Sequence, residues 1–395
     1  MVLGGVMSVK IVSTGSCVGD RVLDNFQLSE MVDTSDEWIK SRTGIEERRI
    51  ADNITTEELA YRACSSAIEK SGIGVSDIDL LIVATISSDT KVPSSAYKVA
   101  GKLGMKNTVC FDINAACSGF VYAASVAKSM MEMMGYRYAM IAGAEKLSKY
   151  VNWEDRGTCV LFGDGSGCAI LKRDEPYKYN NDSDKNEKSA KGRAETEICK
   201  ENIYNETQDK DKFHKNNSEY TLFKEKESSE KCMTDEISML KIEEALEIVD
   251  QEIGGYYDEN RYLTVDSKES ISDTEVSKYI EMNGRQVYKF ATNEGERVLK
   301  LLMERNNISE DEIVTIVSHQ ANKRIIETLA SKTGVDIEKW FINLDKYGNT
   351  SSASIPIALD EAVSNLDLNK NKGKYILSVA FGGGLSYGGI LLKIV

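Results

Sequence analysis

The sequence predicts an α/β fold made of two similar halves, and three observations support this prediction. Residues 55–71 have the apolar spacing of a helix and are followed at 80–84 by a continuous apolar run of strand length. The same order of helix and strand returns at 296–319, with the matched apolar positions at a constant offset of 235 residues. Each half then ends with a predicted strand, a glycine-rich turn and a final strand, at 138–171 and 375–392. A constant offset across several elements indicates an internal duplication.

The elements follow in order from the start of the chain. A strand pattern begins at residues 9–12, after a short extension, and the first long helix has a capping-box start, Thr55 with Glu58, and a stop at Gly72. The corresponding helix of the second half is predicted over 296–305. Three pairs of apolar positions relate the two halves: Ile73 with Ile308, Ile78 with Ile313, and Ile82 with Val317.

Residues 177–235 separate the halves and differ from them in composition. They are crowded with Lys, Glu, Asp, Asn and Ser and contain few aliphatic residues, so they cannot bury enough apolar surface to offset their ordering entropy. We therefore expect a charged, flexible insertion between an N-terminal half, 1–176, and a C-terminal half, 236–395. Four apolar residues predict an amphipathic helix where order resumes: Ile237, Leu240, Ile248 and Val249.

Composition excludes several classes of function. The net charge of −14 argues against nucleic acid as a partner, and no stretch approaches the ~20 apolar residues of a membrane span. The eight cysteines contain no CxxC pair, which favours free thiols in a reducing cytoplasm. The two histidines, His214 and His319, have no second metal ligand near them in sequence, so we expect no metal site.

Cys117 is a candidate nucleophile because of where it lies, in the segment DINAACSGF at 112–120. A strand ends there and a buried helix begins. A helix start carries partial positive charge and unpaired N–H groups, which favour a thiolate over a thiol and can hold an oxyanion. The alternative is that Cys117 is a small buried hydrophobe, which is the usual role of a buried cysteine.

His319 and Asn349 are the other two candidates. His319, in VSHQAN at 317–322, lies at the carboxyl end of an apolar strand, the edge of an α/β sheet where ligands gather. Asn349, in KYGNTSSAS at 346–354, precedes a predicted helix at the corner that the duplication matches to that of Cys117. The alternatives are a structural histidine and a plain helix N-cap.

Further motifs occur in order along the chain: TSDEWI at 34–39, RTGI at 42–45, DRGT at 155–158, FGDG at 162–165, NGRQV at 283–287 with Lys289 and Phe290, and FGGG at 381–384. With the three candidate segments, they resemble β-ketoacyl-acyl-carrier-protein synthase III, a condensing enzyme of the thiolase superfamily. The likeness covers nearly all of the chain except 177–235. It implies a duplicated thiolase-like fold, layered α/β/α/β/α, with two five-stranded mixed sheets.

The resemblance also implies a reaction. Cys117 is acylated by an acyl-CoA primer, and His319 and Asn349 then donate to the thioester oxygen on which enolate charge gathers when a malonyl-acyl carrier protein loses CO2. The backbone N–H groups of Cys117 and Gly383 form the oxyanion hole of the acyl transfer. The products are a 3-oxoacyl-acyl carrier protein, CoA and CO2, which initiates type II fatty acid synthesis. No cofactor is implied beyond the CoA thioester that serves as substrate.

Binding residues and partners are implied in the same way. The CoA-binding residues are Thr34, Trp38, Arg42, Arg156 and Asn283, with Trp38 and Arg156 on the two faces of the adenine. Val92 and Phe381 belong to the acyl pocket. Relatives often have a bulky aromatic residue at the position of Val92, contributed by the neighbouring subunit, so the smaller side chain predicts longer or more branched primers. Lys289 and Arg324 are implied to dock the acidic carrier protein, and the chain is implied to form a homodimer.

Other functions remain open at this point. A relative of the same fold that acts as an acyltransferase of specialised, polyketide metabolism differs in its products, and CO2 release from malonyl-carrier protein discriminates between the two. A non-catalytic scaffold is disfavoured because all three candidate residues are present. A cysteine hydrolase also uses Cys, His and Asn, but the condensing-enzyme motifs surround these residues here.

Overall fold

The computed structural model describes residues 8–174, 245–266 and 278–395. The predicted flexible insertion at 177–235 lies outside these residues, together with the predicted boundaries of the two halves at 176 and 236. Ile237 and Leu240 of the predicted amphipathic helix lie outside them too.

The described residues contain strands and helices in alternation. The strands are β1 (Val9–Val18), β2 (Arg21–Asp24), β3 (Glu47–Ile50), β4 (Leu80–Ala84), β5 (Val109–Ile113), β6 (Tyr138–Lys146), β7 (Asp164–Arg173), β8 (Leu246–Gly255), β9 (Leu263–Thr264), β10 (Glu281–Met282), β11 (Ile313–Ser318), β12 (Tyr375–Gly382) and β13 (Ser386–Ile394). The helices are α1 (Asn25–Ser29), α2 (Asp36–Thr43), α3 (Thr56–Ser71), α4 (Ser95–Leu103), α5 (Gly119–Met134), α6 (Arg156–Cys159), α7 (Gly284–Arg305), α8 (Lys323–Thr333), α9 (Leu344–Tyr347) and α10 (Ser354–Ser364).

The predicted helix at 55–71 is confirmed as α3. The Thr55 hydroxyl accepts a hydrogen bond from Glu58 N at 3.1 Å, which satisfies one of the unpaired N–H groups at the helix start. Gly72 closes the helix in the left-handed conformation that a glycine adopts without strain. The apolar run after it is β4, and all five of its residues are buried. In the second half, α7 begins twelve residues before the predicted start at 296, because Asn283 caps it.

Nine strands form one sheet in the order β11-β12-β13-β8-β1-β7-β6-β4-β5. In the first half, β4 pairs in parallel with β5 and β6, and β7 runs antiparallel to β6 and β1. The second half repeats this arrangement, since β11 and β12 are parallel and β13 is antiparallel to β12 and β8. Two short pairs, β2 with β3 and β9 with β10, lie outside the large sheet.

Strand register confirms the predicted duplication. Ile82 of β4 pairs with Ile141 of β6, and the matched position Val317 of β11 pairs with Ser378 of β12. The two halves therefore share register as well as strand order, which a chance similarity of pattern would not produce.

The sheet differs from the prediction of two separate mixed sheets with five strands each. The first strands of the two halves, β1 and β8, pair over two residues and join the sheets into one. Among the described residues, the second half contributes four strands, and an isolated parallel bridge from Trp340 to Ile316 occupies the place of a fifth. A 3₁₀ turn ends at Lys339 and α9 begins at Leu344, so the chain between them is too short for a ladder.

Helices and strands alternate in five layers, as expected. Side chains of α5 and α10 form one hydrophobic cluster with strands of both halves, so these two helices are the middle layer. Helices α3 and α4 cover the other face of the first half, and α7 and α8 cover that of the second. The first turns of α5 are almost wholly buried, whereas Met133 and Met134 at its end are exposed.

The prediction of a helix at Ile248 and Val249 is wrong. These residues lie in β8, where Leu246 and Ile248 are buried while Glu247 and Val249 are more exposed. That alternation has a period of two, so the short apolar pattern was assigned to the wrong element. In the described part of the chain, no helix has the length and apolarity to cross a membrane, and no group of three or more His, Cys, Asp or Glu side chains is arranged to hold a metal ion.

Candidate active site

The first candidate corner connects β5 to α5. Asn114 Oδ1 accepts a hydrogen bond from Ala116 N at 3.3 Å, and Ala116 has a φ of +46°. A 3₁₀ turn over Ala116–Ser118 then leads into the helix, which places Cys117 at its N-terminal end. The side chain is buried, with 8% of the residue exposed. The sequence prediction for the position of Cys117 is therefore confirmed.

The second candidate corner connects α9 to α10 and repeats this geometry. Asn349 Oδ1 accepts from Ser351 N at 2.9 Å, Ser351 has a φ of +50°, and a 3₁₀ turn over Ser351–Ala353 leads into the helix. Asn349 is further held by its backbone, whose N–H donates to Leu161 O at 2.8 Å and whose carbonyl accepts from Gly163 N at 3.0 Å. Because the amide oxygen is turned to the backbone, the NH2 group is the end that can donate to a ligand.

His319 directly follows β11 and is fixed by three contacts. Its backbone N–H donates to Val379 O at 2.8 Å, and its ring Nδ1 lies 2.6 Å from Ser354 Oγ. Its ring packs edge-on against the ring of Phe381, with 5.3 Å between the ring centroids. Burial lowers the pKa of His319 to about 3, so the imidazole is neutral at neutral pH. When the Ser354 hydroxyl donates to Nδ1, the neutral ring carries its proton on Nε2 and can donate it to a ligand.

The three candidates converge on one cavity. Cys117, His319 and Asn349 all line a cavity of about 120 Å³, together with apolar side chains that include Phe162, Leu263 and Phe381. Cys117 also lines a larger cavity of about 1340 Å³, which contains Gly383 and Ser351. The thiol thus lies between two spaces, one with the imidazole and the carboxamide and one without them.

The electrostatics of Cys117 differ from the expectation of a thiolate at rest. Burial raises the pKa of the thiol to about 12, a hydrogen bond with Ser351 opposes this rise, and the negative charge of Glu145 adds to it. Desolvation is the largest of these effects, and the helix start does not offset it. The resting group is a thiol, and its proton has to leave as the sulfur reacts.

The glycine-rich segment after β12 runs along the first corner. A Cβ on Gly382 would stand 2.7 Å from Cys117 N and 3.2 Å from Ser118 N, so only glycine allows this approach. The Ser386 hydroxyl donates to Ala115 O at 3.0 Å and ties the following strand to the same corner. The predicted oxyanion-hole residues, Cys117 and Gly383, both line the larger cavity.

Glu145 is a residue of this site that sequence reasoning missed. It lies near the end of β6, is fully buried, and accepts hydrogen bonds from Ser87 Oγ at 2.6 Å and Ser352 Oγ at 2.8 Å. Burial raises the pKa of its carboxyl to about 7 despite these hydrogen bonds. A signal was present in the sequence, because an acidic residue directly follows the apolar run at 138–144, at the carboxyl end of a strand.

All of the predicted CoA-binding residues except Asn283 form a group around Trp38. The guanidinium carbon of Arg156 lies 4.8 Å from the centre of the Trp38 ring, and that of Arg42 lies 6.0 Å away. Arg156 Nη1 also donates to Asp33 O at 2.9 Å. The hydroxyl of Thr34 is buried without a hydrogen-bond partner in the described part of the chain. A base stacked on both groups needs about 7 Å between them, so Arg156 has to move when one binds.

Asn283 and the two predicted docking residues lie on α7 and α8. Asn283 is exposed and caps α7 through a hydrogen bond from Gln286 N at 3.3 Å. Lys289 is exposed on α7. Arg324, on the neighbouring α8, is exposed and donates to Ser41 O at 2.8 Å. These residues are not among those that line the cavities at Cys117.

The two predicted acyl-pocket residues lie apart. Phe381 is buried in the smaller cavity, against His319. Val92 is 87% exposed and is not among the lining residues of either cavity within this chain. A contribution of Val92 to the acyl pocket therefore requires a second subunit, and it stays a prediction.

Two protein-family models match the chain. The model described as 3-oxoacyl-[acyl-carrier-protein] synthase III matches residues 111–184, which include Cys117. The model described as the C terminal part of the same synthase matches residues 303–394, which include His319 and Asn349.

Curated relatives and solved structures match nearly the whole chain. The β-ketoacyl-[acyl-carrier-protein] synthase III of Clostridium acetobutylicum is 39% identical over 386 residues, 98% of each chain. The 3-oxoacyl-[acyl-carrier-protein] synthase III of Aquifex aeolicus VF5 has a TM-score of 0.74 at 34% identity, over 98% of this chain and 99% of that chain. The priming β-ketosynthase of the R1128 polyketide pathway has a TM-score of 0.74 at 24% identity, over 98% and 96% of the two chains, which shows a shared fold alone.

Proposed function

The chain belongs to the β-ketoacyl-acyl-carrier-protein synthase III family, and from this membership we propose that Cys117, His319 and Asn349 carry out a decarboxylative condensation. An acyl-CoA primer and a malonyl-acyl carrier protein give a 3-oxoacyl-acyl carrier protein, CoA and CO2, the first condensation of fatty acid synthesis. The observation that carries the assignment of residues is the convergence of thiol, imidazole and carboxamide on one cavity of about 120 Å³.

The first half-reaction is acyl transfer to Cys117. The sulfur attacks the carbonyl carbon of the acyl-CoA, and the carbonyl oxygen becomes an oxyanion in the tetrahedral intermediate. The backbone N–H groups of Cys117 and Gly383 are proposed to hold this oxyanion, since both residues line the larger cavity. Gly382 supports this role because its close approach keeps the 382–383 backbone against the corner. The C–S bond to CoA then breaks and leaves an acyl-Cys117 thioester.

The second half-reaction is decarboxylation and attack. When the malonyl thioester loses CO2, negative charge gathers on its thioester oxygen. His319 Nε2–H and the Asn349 NH2 group are proposed to donate to that oxygen. A neutral imidazole suits this step, because it donates a hydrogen bond without transferring its proton and quenching the enolate. The enolate carbon then attacks the acyl-Cys117 carbonyl and extends the chain by two carbons.

The CoA moiety is proposed to bind at the surface group around Trp38. The indole and the guanidinium of Arg156 are suited to the two faces of the adenine, and Arg42, Thr34 and Asn283 complete the set. The guanidinium of Arg156 lies 4.8 Å from the Trp38 ring, which supports an arginine that moves away when the adenine enters and then stacks on its other face. Loss of the Arg156 side chain is therefore expected to raise KM for acyl-CoA more than it lowers kcat.

Acyl-CoA, malonyl-acyl carrier protein and a second copy of the chain are the proposed partners. Lys289 and Arg324, exposed on adjacent helices, offer positive charge to an acidic carrier protein. The edge strand β5 ends the large sheet with Val109 exposed, which supports pairing with another subunit. Five described cysteines are buried free thiols, which is consistent with a proposed location in the cytoplasm: Cys64, Cys110, Cys117, Cys159 and Cys168.

Two measurements test the proposed function. Mass spectrometry of the protein after incubation with acyl-CoA alone is expected to locate the acyl group on Cys117. Addition of malonyl-acyl carrier protein is then expected to release CO2 and return the cysteine to its free form. As a matched control, Cys110→Ser removes another buried thiol, whose pKa burial raises to about 11, and should retain acylation. Acylation of a different cysteine would contradict the assignment of Cys117 as the nucleophile. Turnover without CO2 would favour an acyltransferase of specialised metabolism.

A further inference from the structure

Glu145 is a buried carboxyl that the proposed reaction does not use. It is 0% exposed, and its hydrogen-bond partners are hydroxyl groups and a backbone amide. Two serine hydroxyls donate to it at 2.6 and 2.8 Å, Ile86 N donates at 3.3 Å, and the hydroxyls of Thr85 and Ser351 lie at 3.4 Å. Burying an ionisable group in this way is costly, so it suggests a use for the proton itself.

Ser351 connects this carboxyl to the nucleophile. Its hydroxyl lies 3.4 Å from Glu145 Oε1, it lines the larger cavity together with Cys117, and donation from its side chain towards the sulfur lowers the pKa of that thiol. The charge of Glu145 acts in the opposite direction and raises the pKa of Cys117. A thiolate and a carboxylate therefore oppose each other here, and the buried site accommodates one negative charge far better than two.

Ser352 allows the network to satisfy both protonation states of Glu145. Its single hydroxyl proton has two acceptors in reach, Glu145 Oε1 at 2.8 Å and Ala84 O at 2.9 Å. With an ionised carboxylate, Ser352 donates to Glu145. With a neutral carboxyl, Glu145 donates to Ser352, and Ser352 donates to Ala84 O. The Ser352 hydroxyl therefore has a hydrogen-bond partner in both protonation states of Glu145.

We propose that Glu145 is a proton-holding positioning residue, which takes the thiol proton of Cys117 through Ser351 during acylation and returns it after condensation. This inference rests on the proposed function. As the sulfur bonds to the acyl carbon, its proton moves to Ser351 Oγ while the Ser351 proton moves to Glu145. The C–S bond to CoA breaks, and the CoA thiolate takes a proton from solvent, the one proton that the overall reaction consumes. After condensation breaks the bond from Cys117 to the acyl carbon, the freed thiolate recovers its proton from Glu145 by the same path.

Ionisation supports this sequence of events. Burial holds the pKa of Glu145 near 7, so a carboxylate is available at neutral pH, while the thiol, with a pKa of about 12, releases its proton only as the S–C bond forms. Among the described residues, Tyr150, Lys149 and Asp89, which pairs with Lys149, also lie beside the network. Tyr150 has a pKa raised by burial and by the charge of Glu145, and Lys149 Nζ donates to Ser87 O. His319 stays neutral throughout.

The test compares two reactions of Cys117 in the full chain with Glu145→Gln, which keeps the size of the side chain. Single-turnover acylation by acyl-CoA at pH 7 is expected to fall about 10²-fold, the usual contribution of a general base. Alkylation of Cys117 by iodoacetamide, which needs only a thiolate, is expected to be unchanged or faster, because removing the anion lowers the pKa of the thiol. In the unsubstituted protein the acylation rate is expected to rise with pH around 7, and that rise should be absent in E145Q.

Further variants keep the outcome decisive. S351A keeps the carboxyl and breaks the path, so acylation should fall by a similar factor while alkylation slows, because the hydrogen bond that lowers the thiol pKa is lost. Ser352 contacts Glu145 but is not on the path to the thiol, so S352A should lower the acylation rate less than S351A does. E145D should acylate faster than E145Q. Equal loss of acylation and alkylation in E145Q means a structural role and overturns the proposal. So does an unchanged rate in E145Q, or the absence of a pH-dependent rise near 7 in the unsubstituted protein. If Cys117 is not acylated in that protein at all, the proposed function itself fails.

Discussion

The site has two corners, one between a strand and a helix and one between two helices. Their backbone conformations are the same, but their chemistry differs. Asn114 and Asn349 each accept a hydrogen bond from the residue two positions later, at 3.3 and 2.9 Å. Ala116 and Ser351, the residues that donate those bonds, both have positive φ, and each begins a 3₁₀ turn into a buried helix. All these positions differ by the same offset of 235 residues, so the duplication preserved the corner in detail.

The difference lies in which position of the corner faces the small cavity. At the first corner it is Cys117, while Asn114 is exposed and lines the larger cavity. At the second corner it is Asn349, while Ser352, the counterpart of Cys117, is buried against Glu145 and Ala84. One backbone frame thus supplies a nucleophile on one side and a hydrogen-bond donor on the other.

A single pair of matched residues explains much of this division. Glu145 at the end of β6 faces the second corner, and Gly382, its counterpart at the end of β12, faces the first. The register agrees, because Glu145 pairs with Gly165 and Gly382 pairs with Ser386, at matched positions of the final strands. A carboxyl fills the space at one corner. At the other corner Gly382 has no side chain, so the space beside Cys117 stays open for an acyl group to reach the sulfur.

The largest effect is expected from exchanging the nucleophile between the corners. Cys117→Ser should reduce turnover at least about 10³-fold, because a serine hydroxyl is a much weaker nucleophile than a thiol at neutral pH. Adding Ser352→Cys places a thiol at the matched position of the second corner. That double variant should stay inactive and unlabelled by acyl-CoA in mass spectrometry, because position 352 is 1% exposed. Labelling at position 352 would mean that the two corners are chemically interchangeable.

The two asparagines offer a matched pair of substitutions. Asn349→Ala removes a donor to the developing enolate and is expected to lower the rate of CO2 release about 10²- to 10³-fold. Asn114→Ala removes the same contact between side chain and backbone at an exposed position, and it should lower the rate of CO2 release less than about threefold. Single-turnover acylation of Cys117 serves as the control, since N349A should leave it largely intact. Equal losses in both variants would mean that the turn, and not the amide donor, matters.

Gly382→Ala tests the open space at the first corner. The added Cβ would stand 2.7 Å from Cys117 N, a backbone atom that cannot move without shifting the corner. Acylation is expected to slow about 10- to 10²-fold, because sub-ångström misplacement of reacting groups costs this much. Gly101→Ala, a position with nothing within 4 Å of the added Cβ, is the matched control and should have normal rates. An acylation rate in G382A equal to that of G101A would contradict the close approach.

The smallest effect concerns stability at the second corner. The folded state raises the pKa of Glu145 from an ordinary 4.5 to about 7, so its neutral form is favoured on folding. The resulting stability is fully present below pH 4.5 and is lost as pH rises through 7. In urea unfolding, the free energy of unfolding of E145Q should therefore rise relative to that of the unsubstituted protein between pH 5 and pH 8, by on the order of 1–3 kcal/mol. A difference that does not change with pH would contradict the raised pKa.

Much of the fold could be predicted because the relevant patterns are local. The helix at 56–71, the buried strand at 80–84 and the register shared by Ile82 and Val317 follow from apolar spacing and a constant offset. The positions of Cys117 and Asn349 at matched corners follow from the same duplication. The strand β8 was missed because the apolar pair Ile248 and Val249 is too short to distinguish a helical period from a strand period.

The sequence alone therefore determined the duplicated α/β order, the two corners and the family to which their motifs point, because each depends on residues near one another in the chain. Only the tertiary structure decided the protonation of the site, since burial depends on which distant segments surround a group. A helix start suggested a thiolate at Cys117, but enclosure by both halves keeps it a thiol. The same enclosure brings Glu145 of the first half against Ser351 and Ser352 of the second, a contact between residues more than 200 positions apart.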